Sequence, residues 1–196
     1  MMRSIRKNED AFTGLEAAIV LIAFVVVAAV FSYVVLGAGF FTTQKSQETV
    51  HSGVAMASSA VEVLGDVYGI SADKVKVDTI QFTLGLAAGA TSVDINKTAL
   101  VLTDGKVVET LVNKNTGSFP TTVGVGEWGI KEALYELGTT NLMLEKGEQF
   151  VIQAKPNTAV LNSYTQFNLE VRPPVGTALG IKRTVPASVG AVNLLY

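Results

Sequence analysis

Ala17 to Phe41 is a run of 25 residues with no charged side chain, and it limits what this chain can become more than any other stretch. As an α-helix rising about 1.5 Å per residue it is roughly 37 Å long. That is enough to cross the ~30 Å hydrocarbon core of a bilayer. An amphipathic helix buries one stripe, but a helix that is apolar all round must be enclosed by lipid or by other apolar helices. Ala17, Ala18, Ala23, Ala28, Ala29, Gly37, Ala38 and Gly39 are small residues along it that let neighbouring backbones approach closely.

The flanks separate three uses of such a run. Upstream, residues 1–14 form a polar leader with Arg3, Arg6 and Lys7, then Glu9 and Asp10, ending in Thr13-Gly14. A cleaved secretory signal has an apolar core of about 7–15 residues with a small-x-small site behind it, and this run is too long for one. A permanent anchor fits the length. So does a leader cut off ahead of a helix that is kept, with the cut after Gly14 and Leu15-Glu16-Ala17 as the new start. Glu16 favours this last reading. A carboxylate in the first turn sits at the positive end of the helix dipole and can pair with a free amine on a neighbouring subunit, whereas a simple anchor has no task for it.

Gly14-Leu15-Glu16 followed by AAIVLIAFVVVAAVFSYVVLGAGFF resembles the processing site and N-terminal helix of archaeal flagellins (archaellins), relatives of type IV pilins. Such sites often carry a basic residue just before the terminal glycine; here that position is Thr13. Leu144-Glu145-Lys146-Gly147-Glu148-Gln149-Phe150 and the stretch from Pro173-Pro174 to Pro186 look like archaellin outer-domain sequence. The resemblance implies cleavage by a prepilin-type peptidase, membrane insertion of the precursor, and packing of the retained helices as a filament core. It further implies a homopolymer or co-assembly with other archaellins, dealings with archaellum motor and assembly proteins, and an extracellular swimming filament as the destination. An archaeal adhesion pilin is the first alternative, and a membrane-anchored domain that never polymerises is the second.

Val50, Val54, Ala57, Val61 and Leu64 recur at three- and four-residue intervals, so the rod is expected to continue to Leu64, with Gly65 as its stop. A helix of about 50 residues is far above the globular mean of roughly 11–12. From about Val75 the pattern becomes short β-rich runs. Thr98–Thr103 and Lys106–Leu111 flank Asp104-Gly105, a strong hairpin signal, and a second hairpin is expected at Glu145–Glu148. Gln166–Arg172 alternates and is stopped by Pro173-Pro174. The expected fold class is α+β: a long N-terminal hydrophobic helix, then an antiparallel, Ig-like β-sandwich. The expected divisions are a cleaved leader at 1–14, a core-forming helix at 15–64 and an outer domain at 65–196.

Composition removes most chemistry. With 15 basic and 17 acidic residues the net charge is −2, so no broad basic surface exists for nucleic acid. No cysteine is present, which excludes disulfides, thiolate metal sites and cysteine nucleophiles. The single histidine, His51, lies on the long helix, so neither a His-based metal cluster nor a triad is expected. Gly124-Val125-Gly126-Glu127-Trp128-Gly129 satisfies G-x-G-x-x-G, but that motif needs a strand before it and a helix after it. A strand-linking loop is expected instead. No catalytic, cofactor-binding or metal residue is assigned, and the chain is read as a structural subunit. Asn96-Lys97-Thr98 is the single N-x-S/T sequon, making Asn96 a candidate N-glycosylation acceptor.

Overall fold

The computed structural model describes residues 5–115, 119–120, 122–136, 138 and 141–196, with side chains described from Thr13 onward except at Ala57 and Ser58. The chain divides into two compact units, the first ending at Ser52 and the second running Gly53–Tyr196. One continuous helix, α1 (Ile5–Ser58), makes up the described part of the first unit and contributes its last residues to the second.

The helix stops earlier than its periodicity predicts. Ser59 still donates its N–H to the Ala55 carbonyl at 3.0 Å, but Val61–Ile70 is a strand, β1. Val61 and Leu64, expected on the helix, instead pair with Leu86 and Thr83 of β3 (Thr79–Leu86). Val61-Glu62-Val63 also alternates, and β-branched residues offered cross-strand partners prefer the sheet. Gly65 does not end the helix. With φ of 76° it forms a bulge in β1, where the register to β3 shifts between Leu64 and Tyr68.

The remaining strands are β2 (Lys76–Val77), β4 (Val93–Asp94), β5 (Ala99–Thr103), β6 (Val108–Asn113), β7 (Glu127–Leu134), β8 (Met143–Leu144), β9 (Gln149–Lys155), β10 (Leu161–Asn162), β11 (Gln166–Arg172), β12 (Leu179–Thr184) and β13 (Val192–Leu195). Nine of the strands form one sheet in the order β12-β11-β5-β6-β7-β9-β3-β1-β13. The long helix and the β-rich domain behind it are as expected. Within that domain the main sheet is continuous, and one neighbour pair, β6 with β7, is parallel. The sheet curls until its edges meet: Thr184 donates to the Tyr196 carbonyl at 2.6 Å, and Tyr196 donates back at 3.4 Å. Joined edges leave less unpaired backbone as a template for unwanted strand pairing. Two short ribbons, β2 with β10 and β4 with β8, lie outside the main sheet.

Alternation on the strands fills the inside. Ile80, Phe82 and Leu84 of β3, Phe150 and Ile152 of β9, Leu100 and Leu102 of β5, and Phe167 and Leu169 of β11 are all buried in one cluster with Trp128. The expected turns form, with different surroundings. Asp104-Gly105 opens a four-residue loop between Thr103 and Val108, in which Gly105 alone has positive φ. The Asp104 carboxylate accepts the Lys106 and Val107 N–H groups at 2.9 and 2.8 Å, supplying the turn with a side-chain acceptor. At the second turn Gly147 has φ of 92° and Glu148 donates to the Glu145 carbonyl at 3.1 Å. That turn does not make a hairpin, because β8 pairs with β4 while β9 pairs with β3 and β7.

Two local contacts hold the second unit together in ways that pairing does not. Glu109 on β6 spreads its carboxylate across the loop after β9, accepting from the Asn157, Thr158 and Ala159 N–H groups at 2.8, 2.9 and 3.2 Å and from the Thr158 hydroxyl at 2.8 Å. Burial pulls its pKa up, but the Thr158 hydroxyl and the three loop amides outweigh it, and the net shift is downward from 4.5. At Gly176, φ is 103° and a Cβ would collide with the Ser59 carbonyl, so the 173–178 loop sits directly against the chain leaving α1.

Glu109→Gln leaves one acceptor oxygen for four donors and is expected to cost about 1–3 kcal/mol, read from guanidinium unfolding in detergent by Trp128 fluorescence. Because the folded pKa is depressed, the carboxylate's contribution is complete above the ordinary glutamate range and lost as pH falls through the lowered folded value. The wild type should therefore destabilise below pH 4.5 by a component that the Gln variant lacks; identical acid profiles would refute the assignment. Gly176→Ala, which suffers both a left-handed backbone and the clash, should lose about 1–3 kcal/mol in the same assay, and an unchanged midpoint would contradict the close approach.

Candidate functional site: the uncovered helix and its leader junction

Every described residue from Thr13 to Val54 is exposed. Along this length Phe24 is 72%, Phe31 68% and Tyr33 80% accessible, values usual for lysine and not for aromatic side chains. Residues Thr13–Met56 are long and apolar enough to cross a membrane, and none of the apolar segment is buried within the chain. Full burial of a single Val, Leu, Ile or Phe is worth about 1.5–3 kcal/mol, so this many uncovered side chains cannot remain in water.

The surface is prepared for close cover. Gly37 and Gly39 leave open space where a Cβ would stand. Around Gly39, a groove is lined by Phe31, Ser32, Val35, Leu36, Phe40 and Thr43. Thr42 and Thr43 donate their hydroxyls to the Ala38 and Gly39 carbonyls, both at 2.9 Å, and Thr49 does the same to Lys45. Hydroxyls satisfied within their own helix can enter an apolar environment without leaving a donor unpaired. Composition gave no notice of this arrangement, although i−4 bonding by threonine on a helix is a general pattern. Charge returns at Lys45 and Glu48, which pair at 2.6 Å in full exposure, where the rod becomes wet.

Gly14, Leu15 and Glu16 lie in sequence on this helix, all exposed, and α1 passes through the junction without a break. Glu16 shares a helix face with Thr13, Val20 and Phe24. The basic residues Arg3, Arg6 and Lys7, expected to belong to a leader, fall outside the described side chains. His51 is exposed on the rod and Trp128 is buried in the sheet interior.

The glycine-rich stretch reads as a loop that enters β7, not a helix. Its Gly124 N–H is already bonded to the Glu127 carboxylate at 2.9 Å, and Gly126 donates to the Lys155 carbonyl at 2.8 Å. Lys114, 3.1 Å away, and then the Gly124 N–H hold the Glu127 carboxyl below the usual range. Loop amides committed to a carboxylate at Gly124 and to a carbonyl at Gly126 are the opposite of a phosphate cradle. Among the described residues no group of three or more His, Asp or Glu could hold a metal ion.

Asn96 is exposed on a single 3₁₀ turn, Ile95–Lys97, capped by Asp94. Asp94 accepts the Asn96 N–H at 3.0 Å and pairs with Lys97 at 2.9 Å. This turn belongs to the second unit and is separate in sequence from the leader junction.

A long N-terminal helix apolar on every face, followed by a β-rich domain with its own core, is the architecture of a helix-anchored or helix-assembled surface subunit. The profile of the archaeal-type flagellin family matches residues 11–183. The chain is 42% identical to probable flagellin 1 of Archaeoglobus fulgidus over 96% of each chain. It is 36% identical to probable flagellin 1 of Aeropyrum pernix, over 96% of this chain and 99% of that one. It also resembles the solved archaeal flagellum of Methanospirillum hungatei strain JF1, with a TM-score of 0.72, 33% identity and coverage of 93% and 99%. The chain belongs to the archaeal-type flagellin family. It is a structural subunit of an extracellular archaeal motility filament, in which it assembles with archaellins.

A charge at the middle of the apolar segment costs about 2.5–3.5 kcal/mol on insertion scales. Val26→Asp should therefore remove the protein from the filament fraction sheared off cells, as judged by immunoblot, while Val26→Ala is retained. Wild-type amounts of the Asp variant in that fraction would contradict the requirement for an all-apolar surface.

Proposed function

We propose that the chain is made as a preprotein whose leader, residues 1–14, is removed by a prepilin-type peptidase acting after Gly14. The precursor waits in the membrane on its apolar helix. After cleavage, Leu15 is the new terminus, the retained helices pack against one another as the filament core, and the β-domain lies outside. Glu16, in the first turn of the shortened helix, is stabilised by the positive end of the helix dipole and pairs with a neighbour's new α-amine. The chain carries no catalysis of its own; torque and assembly come from separate motor and assembly proteins, and Asn96 accepts an N-linked glycan. The observation that carries this reading is the uninterrupted exposure from Thr13 to Val54, which lipid relieves in the precursor and neighbouring helices relieve in the filament.

N-terminal sequencing of high-molecular-weight protein sheared from cells tests it. The expected sequence begins Leu15-Glu16-Ala17, and a strain without the gene loses swimming. Recovery of the protein only as detergent-soluble monomers that retain Met1 would overturn the proposal.

A further inference from the structure

The N-x-S/T sequon tolerates almost any middle residue but demands a hydroxyl two places after the asparagine, so that hydroxyl is a feature the modifying enzyme must touch. In the folded domain it is hidden. Thr98 is 4% exposed, and its Oγ1 donates to the Asp94 carbonyl at 3.2 Å. The backbone around it is equally committed. Asn96 N–H goes to Asp94 Oδ1, Thr98 N–H to the Ile95 carbonyl at 3.1 Å, and the Asn96 carbonyl accepts from Asn113 Nδ2 at 2.7 Å. Ile95 is fully buried, its N–H held by the Leu142 carbonyl at 2.9 Å, so the turn cannot swing out as a loose loop. Within the sequon the Asn96 and Lys97 side chains face solvent and that of Thr98 does not.

We infer that the glycan is attached to Asn96 before the β-domain folds, and that folding closes the site; this rests on Asn96 being used as an acceptor. In the transfer, Asn96 Nδ2 forms a bond to the anomeric carbon of a lipid phosphate-linked oligosaccharide. The bond from that carbon to the phosphate oxygen breaks, the lipid phosphate leaves, and an amide proton passes to a base of the transferase. The unfolded segment can present both Nδ2 and the Thr98 hydroxyl. The folded turn presents Nδ2 and withholds the hydroxyl. Once attached, the sugar sits on an exposed side chain and is compatible with the finished fold. The consequence is a fixed order of events: transfer while the chain is emerging, closure of the 3₁₀ turn, then assembly.

The test incubates an archaeal oligosaccharyltransferase and its lipid-linked glycan with two acceptors, the full chain folded in detergent and a synthetic peptide of residues 90–102. Their Asn96→Gln versions serve as blanks, and intact mass is the readout. A glycan mass gained by the peptide and absent from the folded chain is expected. Modification of the folded chain overturns the proposed order. Modification of neither overturns the reading of Asn96 as an acceptor, and the inference with it.

Discussion

A helix with no polar face is a statement about surroundings before it is a statement about shape. Every described residue of α1 from Thr13 to Val54 is exposed, large apolar side chains such as Phe24, Phe31 and Tyr33 included. Backbone hydrogen bonds are complete within a helix, so such an element is stable in lipid or among its own kind and unstable only in water. The subunit's other properties follow from that single instability. The β-domain has to fold on a core of its own, and the polar transition around Lys45 and Glu48 has to fall beyond the apolar run.

The β-domain meets its requirement by enclosure. Nine strands in one sheet leave two edges, and the pair of backbone bonds between Thr184 and Tyr196 brings them together. A free edge on every copy of a densely repeated subunit would invite strand pairing outside the intended register. Glu109 serves the same end inside the domain. One carboxylate with four donors fixes a loop of backbone N–H groups that no strand pairs.

Much of this was legible in the sequence because it rests on period and composition. The absence of charge from Ala17 to Phe41 needs no tertiary information to read, and alternation at Gln166–Arg172 marked a strand that β11 matches residue for residue. What sequence reading missed depends on partners distant in the chain. Val61 and Leu64 have helical spacing, yet β3 supplies the contacts that decide their state, and Gly65 suits a helix stop and a bulge equally well. The turn at Gly147 was visible, but that β8 turns away to β4 was not, since strand choice is set by the sheet as a whole. For the site, the proposal for Gly14, Leu15 and Glu16 rests on local flanks in the sequence. The burial of Thr98 was invisible, because its cover comes from packing and not from its neighbours in sequence.

The route by which the helix is covered decides which force holds it. A helix that passes from water into a bundle gains the full hydrophobic term, about 25 cal/mol per Å² of apolar surface. One that starts in a membrane has collected most of that term already, since lipid tails are as apolar as leucine. For it, the step into a filament is driven by contact quality: dispersion between interdigitating side chains, close approach at small residues, and the absence of stray polar groups. On that account the Val and Leu residues commit the helix to leaving water, while Gly37, Gly39 and the alanines, together with threonine hydroxyls folded back on Ala38 and Gly39, decide whether copies prefer one another to lipid.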